Sequence, residues 1–229
     1  MSSGQGDPKE VHTSAAAFFD AVAGFYDRVY AIEGDEHRTR MRRLLGLLGP
    51  ATDVLVLGVG TGRELPGLLD AGHRTTGVDC SRKMLERCAD RARHGTLVHA
   101  DFWGDLPFGG GTFGAAVALH GTVAHPPTRE APGALVRELA RVVRVGGVVV
   151  VELPTVAWFE RSAGANEGGP GELHVGEGRA TFVDRRSGAH IHGFVVGPEV
   201  WAQELAKLFA CSLHSSSRDE VTLVAQRLA

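Results

Sequence analysis

The sequence predicts an α/β protein in which a mostly parallel β-sheet is covered by helices on both faces. Three observations predict this fold class. Short, almost continuously apolar segments alternate with helical segments over residues 53–153, as is typical of parallel strands buried on both faces. A glycine-rich turn follows the first apolar segment, and a hairpin pattern ends the sequence. Right-handed crossovers should then bring the carboxyl ends of the parallel strands to one edge, where ligands bind.

A helical cap is expected before the first strand. Aromatic and apolar residues recur at three- and four-residue spacing over residues 18–30, which gives a helix with one aromatic face. A second helix is expected over residues 36–48, ending at Gly49-Pro50. We therefore assign residues 13–50 to the cap, and we expect the polar, glycine-rich residues 1–12 to be disordered.

Strands and helices alternate after the cap. The expected strands span residues 53–57, 74–78, 96–100, 113–119 and 148–153, and the helices between them span 63–71, 81–93 and 130–145. Gly146-Gly147 is interpreted as the stop of the last of these helices. A helix over 198–209 and a closing hairpin over 211–216 and 221–228 complete seven strands, the last of them antiparallel.

The alternation is interrupted after Pro154. SAGANEGGPGE, residues 162–172, is predicted to be a flexible loop. Residues 179–183 and 190–196 flank a turn-like sequence and predict an antiparallel hairpin. We interpret residues 156–196 as a lid inserted into a single domain that covers 13–229.

Composition limits the kinds of partner. The chain has 229 residues, a net charge of −3 and no basic excess, which argues against a nucleic-acid partner. It has no apolar stretch long enough to cross a bilayer and no secretory core, so no membrane partner is expected. The three cysteines form no CxxC pair and indicate reduced thiols in the cytoplasm. Both a monomer and a homodimer are compatible with the sequence.

The glycine loop lies in VLVLGVGTGRE, residues 54–64. Gly58, Gly60 and Gly62 follow a strand and precede a helix, where bare backbone can touch a ligand and helix N–H groups can meet an anion. Glycines in such a turn also serve close packing. Dinucleotide loops favour G-x-G-x-x-G, whereas the residue three after Gly60 is Arg63. The spacing therefore argues against a nicotinamide cofactor.

Two carboxylates follow the next two strands. Asp79 ends the second strand in TTGVDCS, where it can accept from both hydroxyls of a ribose or cap the helix that begins near Ser81. Asp101 ends the third strand in VHADFWGDLPF, where it can accept from an adenine amine while Phe102 or Trp103 packs on the ring. Three such features at consecutive strand ends predict a site for an adenosyl compound.

With these features in order, the chain resembles the class I S-adenosylmethionine-dependent methyltransferases, specifically those that act on small molecules. The segments that carry the resemblance are VLVLGVGTG, GVD, HAD, FGAAVALHGTVAH, LARVVRVGGVVVVELP and the cap sequence FFDAVAGFYDRVY. The family implies a Rossmann-like doubly wound sheet, S-adenosyl-L-methionine as cofactor and S-adenosyl-L-homocysteine as product. The resemblance covers residues 14–153 and fits the final hairpin.

The resemblance also implies which residues form the site. Expected cofactor contacts are Tyr26, Gly58, Gly60, Gly62, Asp79, Cys80, Asp101, Phe102 and His120. Expected substrate contacts are Tyr30, Trp158, Phe159 and His192. For the two tyrosines, docking of the cap helix is an equally weighted alternative, and the aromatic residues of the lid can equally form its own core.

One position departs from the family pattern. Val56 stands where the first motif of the family usually has Asp or Glu, an acid that helps to order the loop and the methionine amine. Glu64, at the start of the next helix, is a candidate to replace it.

The chemistry requires alignment of donor and nucleophile, exclusion of water and, for protic acceptors, a base. His120 follows the fourth strand and is the first candidate base, because histidine titrates near neutrality; packing on the cofactor or a hydrogen bond to the loop is the alternative. His125 is the second candidate. His190 and His192 share a strand face without a nearby carboxylate pair, so no metal site is expected.

The sequence thus predicts transfer of a methyl group from S-adenosyl-L-methionine to an O, N, S or C nucleophile of a small molecule, for example a specialised metabolite. Alternatives are a pericyclic or decarboxylative reaction on the same fold, and a catalytically silent cofactor-binding partner or sensor. A protein or peptide acceptor also stays open. A nicotinamide-dependent oxidoreductase is disfavoured by the loop spacing and by the lack of a Tyr-x-x-x-Lys pair.

Overall fold

The computed structural model describes residues 15–30, 34–50, 52–163, 169–216 and 219–229. The expected disorder of residues 1–12 therefore lies outside the described residues. In chain order the described elements are α1 (Ala15–Val22), α2 (Tyr26–Val29), α3 (Asp35–Leu48), β1 (Asp53–Leu57), α4 (Leu65–Asp70), β2 (Arg74–Asp79), α5 (Arg82–Ala92), β3 (Thr96–His99), β4 (Phe113–Ala118), α6 (Ala131–Val142), β5 (Val143–Pro154), α7 (Val156–Ser162), β6 (Gly171–Gly176), β7 (Arg179–Asp184), β8 (His190–Phe194), α8 (Pro198–Ala206), β9 (Phe209–Ser216) and β10 (Glu220–Arg227).

Seven of these strands form one sheet in the order β3-β2-β1-β4-β5-β10-β9. β1 pairs in parallel with both β2 and β4, whereas β10 runs antiparallel to both β5 and β9. The predicted fold class, a mostly parallel doubly wound sheet with an antiparallel last strand, is confirmed. The chain leaves β1 towards β2 on one side and later returns to β4 on the other. A crevice therefore forms at the carboxyl ends of β1 and β4.

The two faces of the sheet are packed separately because successive side chains of a strand point in opposite directions. In β1, Leu55 and Leu57 belong to a core shared with α6 and α8, whereas Val54 and Val56 belong to a core shared with α3 and α4. Helices on both faces bury the apolar strands and hold the carboxyl ends of the strands in place. No helix within the described residues is long and apolar enough to cross a membrane.

A second sheet lies between β5 and α8 in the chain and has the antiparallel order β6-β7-β8. β7 and β8 confirm the predicted hairpin. β6 was not predicted: Gly171 and Glu172, expected in a loop, begin this strand and pair with β7. The segment contains few β-branched residues and is bounded by Gly171 and Gly176, which hid its alternating burial. That residues 13–229 form one domain stays a prediction.

Two further expectations need correction. The single helix predicted over residues 18–30 is interrupted after Val22, and Gly24 lies in the intervening turn, as expected for a residue of low helix propensity. Gly146-Gly147 does not end a helix but lies inside β5, which begins at Val143. A Cβ on Gly147 would lie 2.7 Å from the carbonyl oxygen of Gly114, so the glycine lets β5 approach β4 closely where their register shifts.

Candidate ligand-binding site

A cavity opens at the carboxyl ends of β1 to β4. The loops after these strands supply its floor, and the cap and the second sheet supply its walls. The floor includes Gly58, Gly60, Asp79, Cys80, Asp101, Phe102, Leu119 and His120. The walls include Phe18, Phe19, Tyr26, Tyr30, Phe182 and Ile191. The cavity therefore combines a polar floor with a largely aromatic and aliphatic wall.

The glycine loop leaves room inside this cavity. Gly58 and Gly60 have φ values of 56° and 54°, a backbone conformation that residues with a Cβ adopt only with strain. A Cβ on Gly58 would lie 2.5 Å from Cγ2 of Thr122, whereas a Cβ on Gly60 would come no closer to another atom than 3.9 Å. Gly58 is thus required by packing, and Gly60 leaves open space for a ligand against the backbone. Gly62, also at positive φ, packs against Cys88.

Asp79 connects the glycine loop to the end of β2. Its Oδ2 accepts a hydrogen bond from the Gly60 N–H and its Oδ1 accepts one from the Ser81 N–H, both at 2.8 Å. The residue is only 5% exposed, and burial raises the pKa of Asp79 although both backbone bonds oppose the shift. Ser81, not Asp79, caps α5 by accepting from the Met84 N–H. The lone pairs of Asp79 that remain are available to hydroxyl groups in the cavity.

Asp101, Phe102 and Cys80 form the neighbouring part of the floor. Oδ1 of Asp101 accepts from the Trp103 N–H at 3.0 Å, and the residue is otherwise exposed. Phe102 is buried, and the centroid of its ring lies 5.2 Å from that of Trp103. Burial raises the pKa of Cys80 to about 12, so its thiol stays protonated at neutral pH. This part of the cavity offers a carboxylate beside an aromatic surface, which suits a flat amine-bearing ring.

The cap helix α2 is fixed over the glycine loop. Oδ1 of Asp27 accepts from Oγ1 of Thr61 at 2.6 Å, and Oδ2 pairs with Arg91 at 2.9 Å. Arg91 also donates to the carbonyl oxygen of Thr61, so three residues from separate elements close one network. The sequence analysis missed Asp27 because only the folded chain brings α2 next to the loop.

The same helix reaches the second sheet through its tyrosines. Tyr26 stacks on Tyr30 with ring centroids 5.1 Å apart, and the Tyr30 hydroxyl donates to Oδ1 of Asp184 at 2.6 Å. Burial raises the pKa of Asp184, but hydrogen bonds from Tyr30 and Ser187 outweigh burial and hold that pKa below its usual value. Burial also raises the pKa of both tyrosines, which therefore stay neutral. Tyr30 thus joins the cap to the second sheet across the cavity.

His120, which is partly buried, and Glu64, which is buried, form a pair at the other end of the floor. Nε2 of His120 lies 2.7 Å from Oε1 of Glu64. The N–H of His120 donates to Oε2 of Glu152 at 3.0 Å, and its φ of 54° is rare for a residue other than glycine. Burial raises the pKa of Glu64, but the bond to His120 outweighs burial and lowers the pKa below its usual value. An ionised Glu64 fixes the His120 proton on Nε2.

Behind this pair lies a salt-bridge network that the sequence analysis did not find. Arg40 of α3 lies 3.4 Å from Oε2 of Glu152 and 3.0 Å from Glu220 of β10. The one indication of this network in the sequence is Glu152, the single charged residue in an otherwise apolar strand end. The network holds the turn that carries His120.

Of the remaining predicted site residues, one lines the cavity and three do not. His125 lines the cavity, and its Nδ1 is enclosed with no hydrogen-bond partner among the described residues. Burial lowers the pKa of His125 to about 4, so the ring is neutral at neutral pH. Trp158, Phe159 and His192 are not among the described residues that line the cavity.

These three side chains have other neighbours. Phe159 is buried against Leu173 and Ala180, and Trp158 packs on its edge while remaining 36% exposed. His192 stacks on His190 at 6.4 Å between centroids. Of the four predicted substrate contacts, the structure brings only Tyr30 to the cavity. No group of three or more potential metal ligands occurs within the described part of the chain.

Comparison with known proteins defines the class. Residues 54–147 match the family model described as a methyltransferase domain. Residues 54–147 therefore form a methyltransferase domain, and with the sheet order this match confirms the resemblance to the class I S-adenosylmethionine-dependent methyltransferases.

Curated relatives share part of the chain. It is similar to the 18S rRNA (guanine-N(7))-methyltransferase of Bos taurus, with 38% identity over 66 residues, 29% of this chain and 24% of that protein. It is also similar to the demethylmenaquinone methyltransferase of Mycobacterium tuberculosis, with 34% identity over 161 residues, 67% of this chain and 63% of that protein. The chain therefore spans less than two thirds of the length of either relative.

A solved structure extends the likeness to the whole chain. The 1,6-didemethyltoxoflavin-N1-methyltransferase of Burkholderia thailandensis, solved with 1,6-didemethyltoxoflavin and S-adenosylhomocysteine, has a TM-score of 0.62 and 20% identity, covering 100% of this chain and 94% of that chain. At this identity the likeness supports the fold and no more.

Proposed function

We propose that the chain binds S-adenosyl-L-methionine and transfers its methyl group to a nucleophilic O, N, S or C atom of a small molecule. The observation that carries the proposal is the floor of the cavity, in which Asp79 is buried and bonded to the backbone of Gly60. The unfilled space at Gly60 and the carboxylate of Asp101 at the next strand end fit an adenosyl group. When bound, this cofactor supplies a methyl group already activated by its sulfonium.

The residues around the cavity then have distinct roles in binding the cofactor and excluding water. Asp79 accepts from ribose hydroxyls, Asp101 accepts from the adenine amine, and Phe102 packs on the ring. Tyr26 and the network around Asp27 hold α2 over the loop, which excludes water from the site. Alignment and exclusion of water lower the barrier without any acid catalyst.

His120 is the proposed proton acceptor for protic substrates. Its Nε2 is bonded to Glu64, so Nδ1 carries the lone pair, and Glu64 stabilises the imidazolium that forms when Nδ1 is protonated. Nδ1 is enclosed in the present conformation, so proton transfer requires the side chains that cover it to move. His125, with its pKa of about 4, is the weaker base and is better suited to accept or donate a hydrogen bond.

A small acceptor is favoured by the walls of the cavity. Phe18, Phe19, Phe182 and Ile191 present an apolar surface, and the net charge of −3 provides no overall attraction for RNA. The relatives named above act, by name, on rRNA and on demethylmenaquinone. Of these two classes, the apolar wall fits the second better. A cytoplasmic location and a monomeric or homodimeric state stay predictions from the sequence.

The proposal is tested with methyl-labelled S-adenosyl-L-methionine. The purified protein is incubated with a panel of hydroxylated and aminated aromatic molecules and, in a separate arm, with rRNA. We expect label in at least one small acceptor, and loss of transfer in the Asp79→Asn variant but not in Gly46→Ala, which alters an open position on α3. Binding of S-adenosyl-L-homocysteine without transfer to either class would indicate a silent or non-methylating protein, and transfer to rRNA alone would exclude the small-molecule proposal.

The role of His120 has its own test. We expect the His120→Ala variant to lose the rise of transfer rate with pH that a protic acceptor requires, while binding of S-adenosyl-L-homocysteine changes by less than about threefold. Full turnover across the pH range in this variant would show that His120 is not the base.

A further inference from the structure

The cavity lacks an acid at Val56, the position where the first motif of the family has one. Val56 is 3% exposed, packs among Val59, Leu65 and Leu119, and also lines the cavity. This part of the wall therefore offers no partner for a positive charge. A cofactor with an amino-acid end would place an ammonium group near an apolar surface unless another residue supplied the charge.

Glu64 supplies a carboxylate to the same cavity from the N-cap position of α4. It is 7% exposed and lines the cavity. Oε1 lies 2.7 Å from Nε2 of His120, and the carboxylate also accepts from the backbone N–H of Glu64 itself. Oε2 is not among the enclosed polar side-chain atoms that lack a partner in the described residues. A carboxylate has about four acceptor positions, so acceptor capacity is left for a ligand in the cavity.

The neighbouring arginines do not hydrogen-bond to this carboxylate, although the charge of Arg63 contributes to the lowered pKa of Glu64. Arg63 directs its guanidinium to the carbonyl oxygen of Tyr30 at 3.3 Å. Arg40 is held by Glu152 and Glu220. A buried carboxylate is costly unless its oxygens are hydrogen-bonded or paired with a cation. The site therefore has one buried negative charge with part of its acceptor capacity left for a ligand.

We infer that Glu64 replaces the acid missing at Val56 and binds the α-ammonium group of the cofactor through Oε2. The inference rests on the proposed function, because it assigns a role towards the same cofactor. Glu64 then binds two cationic or donating groups at once, with Oε1 on His120 and Oε2 on the ammonium. The position of the acid has shifted from the strand to the beginning of the next helix, while the charge presented to the ligand is retained.

The test measures ligand binding by calorimetry, without turnover. Three ligands are compared: S-adenosyl-L-homocysteine, its analogue in which only the α-amino group is replaced by hydrogen, and 5′-methylthioadenosine, which lacks the whole amino-acid end. We expect the unaltered protein to bind the first about 10-fold or more tightly than the deaminated analogue, as for a hydrogen bond to a charged group.

The Glu64→Gln variant is expected to abolish this preference. Its affinity for S-adenosyl-L-homocysteine should fall about 10-fold or more, with less than twofold change for the other two ligands. Asp79→Asn is the matched control, because it should weaken all three ligands to a similar degree. Adding Val56→Asp to Glu64→Gln should restore part of the preference for the amino group.

Distinct results overturn the inference and the proposed function. Equal weakening of all three ligands by Glu64→Gln, or no weakening, shows that Glu64 acts only as a structural partner of His120. Should Glu64→Gln fail to fold, the unaltered protein still decides, because equal affinity for the amino and deaminated ligands excludes an ammonium subsite. Failure of the unaltered protein to bind any of the three ligands refutes the proposed function itself.

Discussion

Asp79 shows what one buried carboxylate contributes at the scale of the residue. Its two oxygens accept from the N–H groups of Gly60 and Ser81, so it fixes the ends of β1 and β2 relative to each other. The unfavourable burial of its charge, seen in its raised pKa, is the cost of presenting a carboxylate to the cavity. We therefore propose that Asp79 serves ligand binding and not stability.

Asp79→Asn should therefore separate binding from folding. The amide oxygen replaces one acceptor, but the amide NH₂ faces an N–H donor and cannot bind ribose in the same way. We expect the affinity for 5′-methylthioadenosine to fall about 10- to 100-fold, measured by calorimetry. The free energy of unfolding of the ligand-free protein should change by less than about 1 kcal/mol, because relief of the buried charge offsets the lost bond. A loss of stability larger than the loss of affinity would contradict this view.

Gly58 provides a second prediction at this scale. A Cβ there combines positive φ with a 2.5 Å approach to Thr122, so Gly58→Ala should destabilise the protein by about 1–3 kcal/mol and distort the loop. Chemical denaturation measures the first effect, and ligand titration measures the second. The control is Gly46→Ala in α3, which meets no atom within 4 Å and should stabilise by up to about 1 kcal/mol. Similar behaviour of both variants would show that the loop tolerates a side chain.

The sequence predicted the residues of the floor better than their partners. Asp79, Asp101 and the glycines follow strands, and parallel strands bring their carboxyl ends together whatever the rest of the chain does. The pair formed by His120 and Glu64, 56 positions apart, depends on the rare backbone conformation of His120. No spacing rule predicts that conformation.

At the scale of the element, α2 is the contact between the glycine loop and the second sheet. It has four residues, none of which is fully buried. Hydrogen bonds and aromatic stacking, and not a buried apolar face, therefore hold it in position. The interruption of the cap after Val22 lets α2 turn over the loop.

The Tyr30→Phe variant should weaken the contact between the cap and the second sheet. It removes a hydrogen bond to a carboxylate, which contributes about 1.5–3 kcal/mol, and hydrogen exchange in residues 171–194 should become faster. The pKa of Asp184 is lowered, so the contribution is present above the pKa of an unfolded Asp, about 4, and is lost as pH falls through the lower folded value. The difference in unfolding free energy between the two proteins should therefore shrink below pH 4. Tyr26→Phe is the matched control, since no described residue bonds its hydroxyl; equal effects of both variants would refute the role of the Asp184 bond.

The second sheet was predicted only in part, for a physical reason. β7 and β8 flank a turn sequence, which marks hairpins, but β6 follows a glycine-rich stretch that equally suits a loop. Its place is decided by pairing with β7, a tertiary contact that local sequence does not encode. The glycine pair inside β5 misled the prediction in the same way, because glycine marks both helix ends and close strand contacts.

At the scale of the whole molecule, the cavity is closed by parts of the chain far apart in sequence. The parallel sheet and its antiparallel last strand were predicted from the alternation of elements and the closing hairpin pattern, because right-handed connections leave few arrangements of a parallel sheet. The walls of the cavity could not be predicted in this way, since they depend on how the cap and the second sheet pack against each other. Ligand that contacts both floor and walls should stabilise the whole fold.

We therefore expect S-adenosyl-L-homocysteine to raise the thermal midpoint. At a concentration about 100 times its dissociation constant, linkage gives about 2.7 kcal/mol, or an increase of about 5–10 °C for a chain of this size. Differential scanning calorimetry measures the shift, and NAD at the same concentration is the negative control. An equal shift with NAD would show that the protein also binds a dinucleotide, against the argument from the spacing of the glycine loop.

The position of β10 has a consequence for biosynthesis. Although it is the last of the described strands to be translated, β10 lies between β5 and β9 instead of at an edge. Until residues 220–227 leave the ribosome, the apolar edge of β5 has no neighbour and β9 has no place in the sheet. Until β10 is synthesised, the nascent domain therefore exposes an unpaired, aggregation-prone strand edge. A stop codon before Glu220 should yield an aggregating product, even though every residue of the ligand-binding floor has already been made.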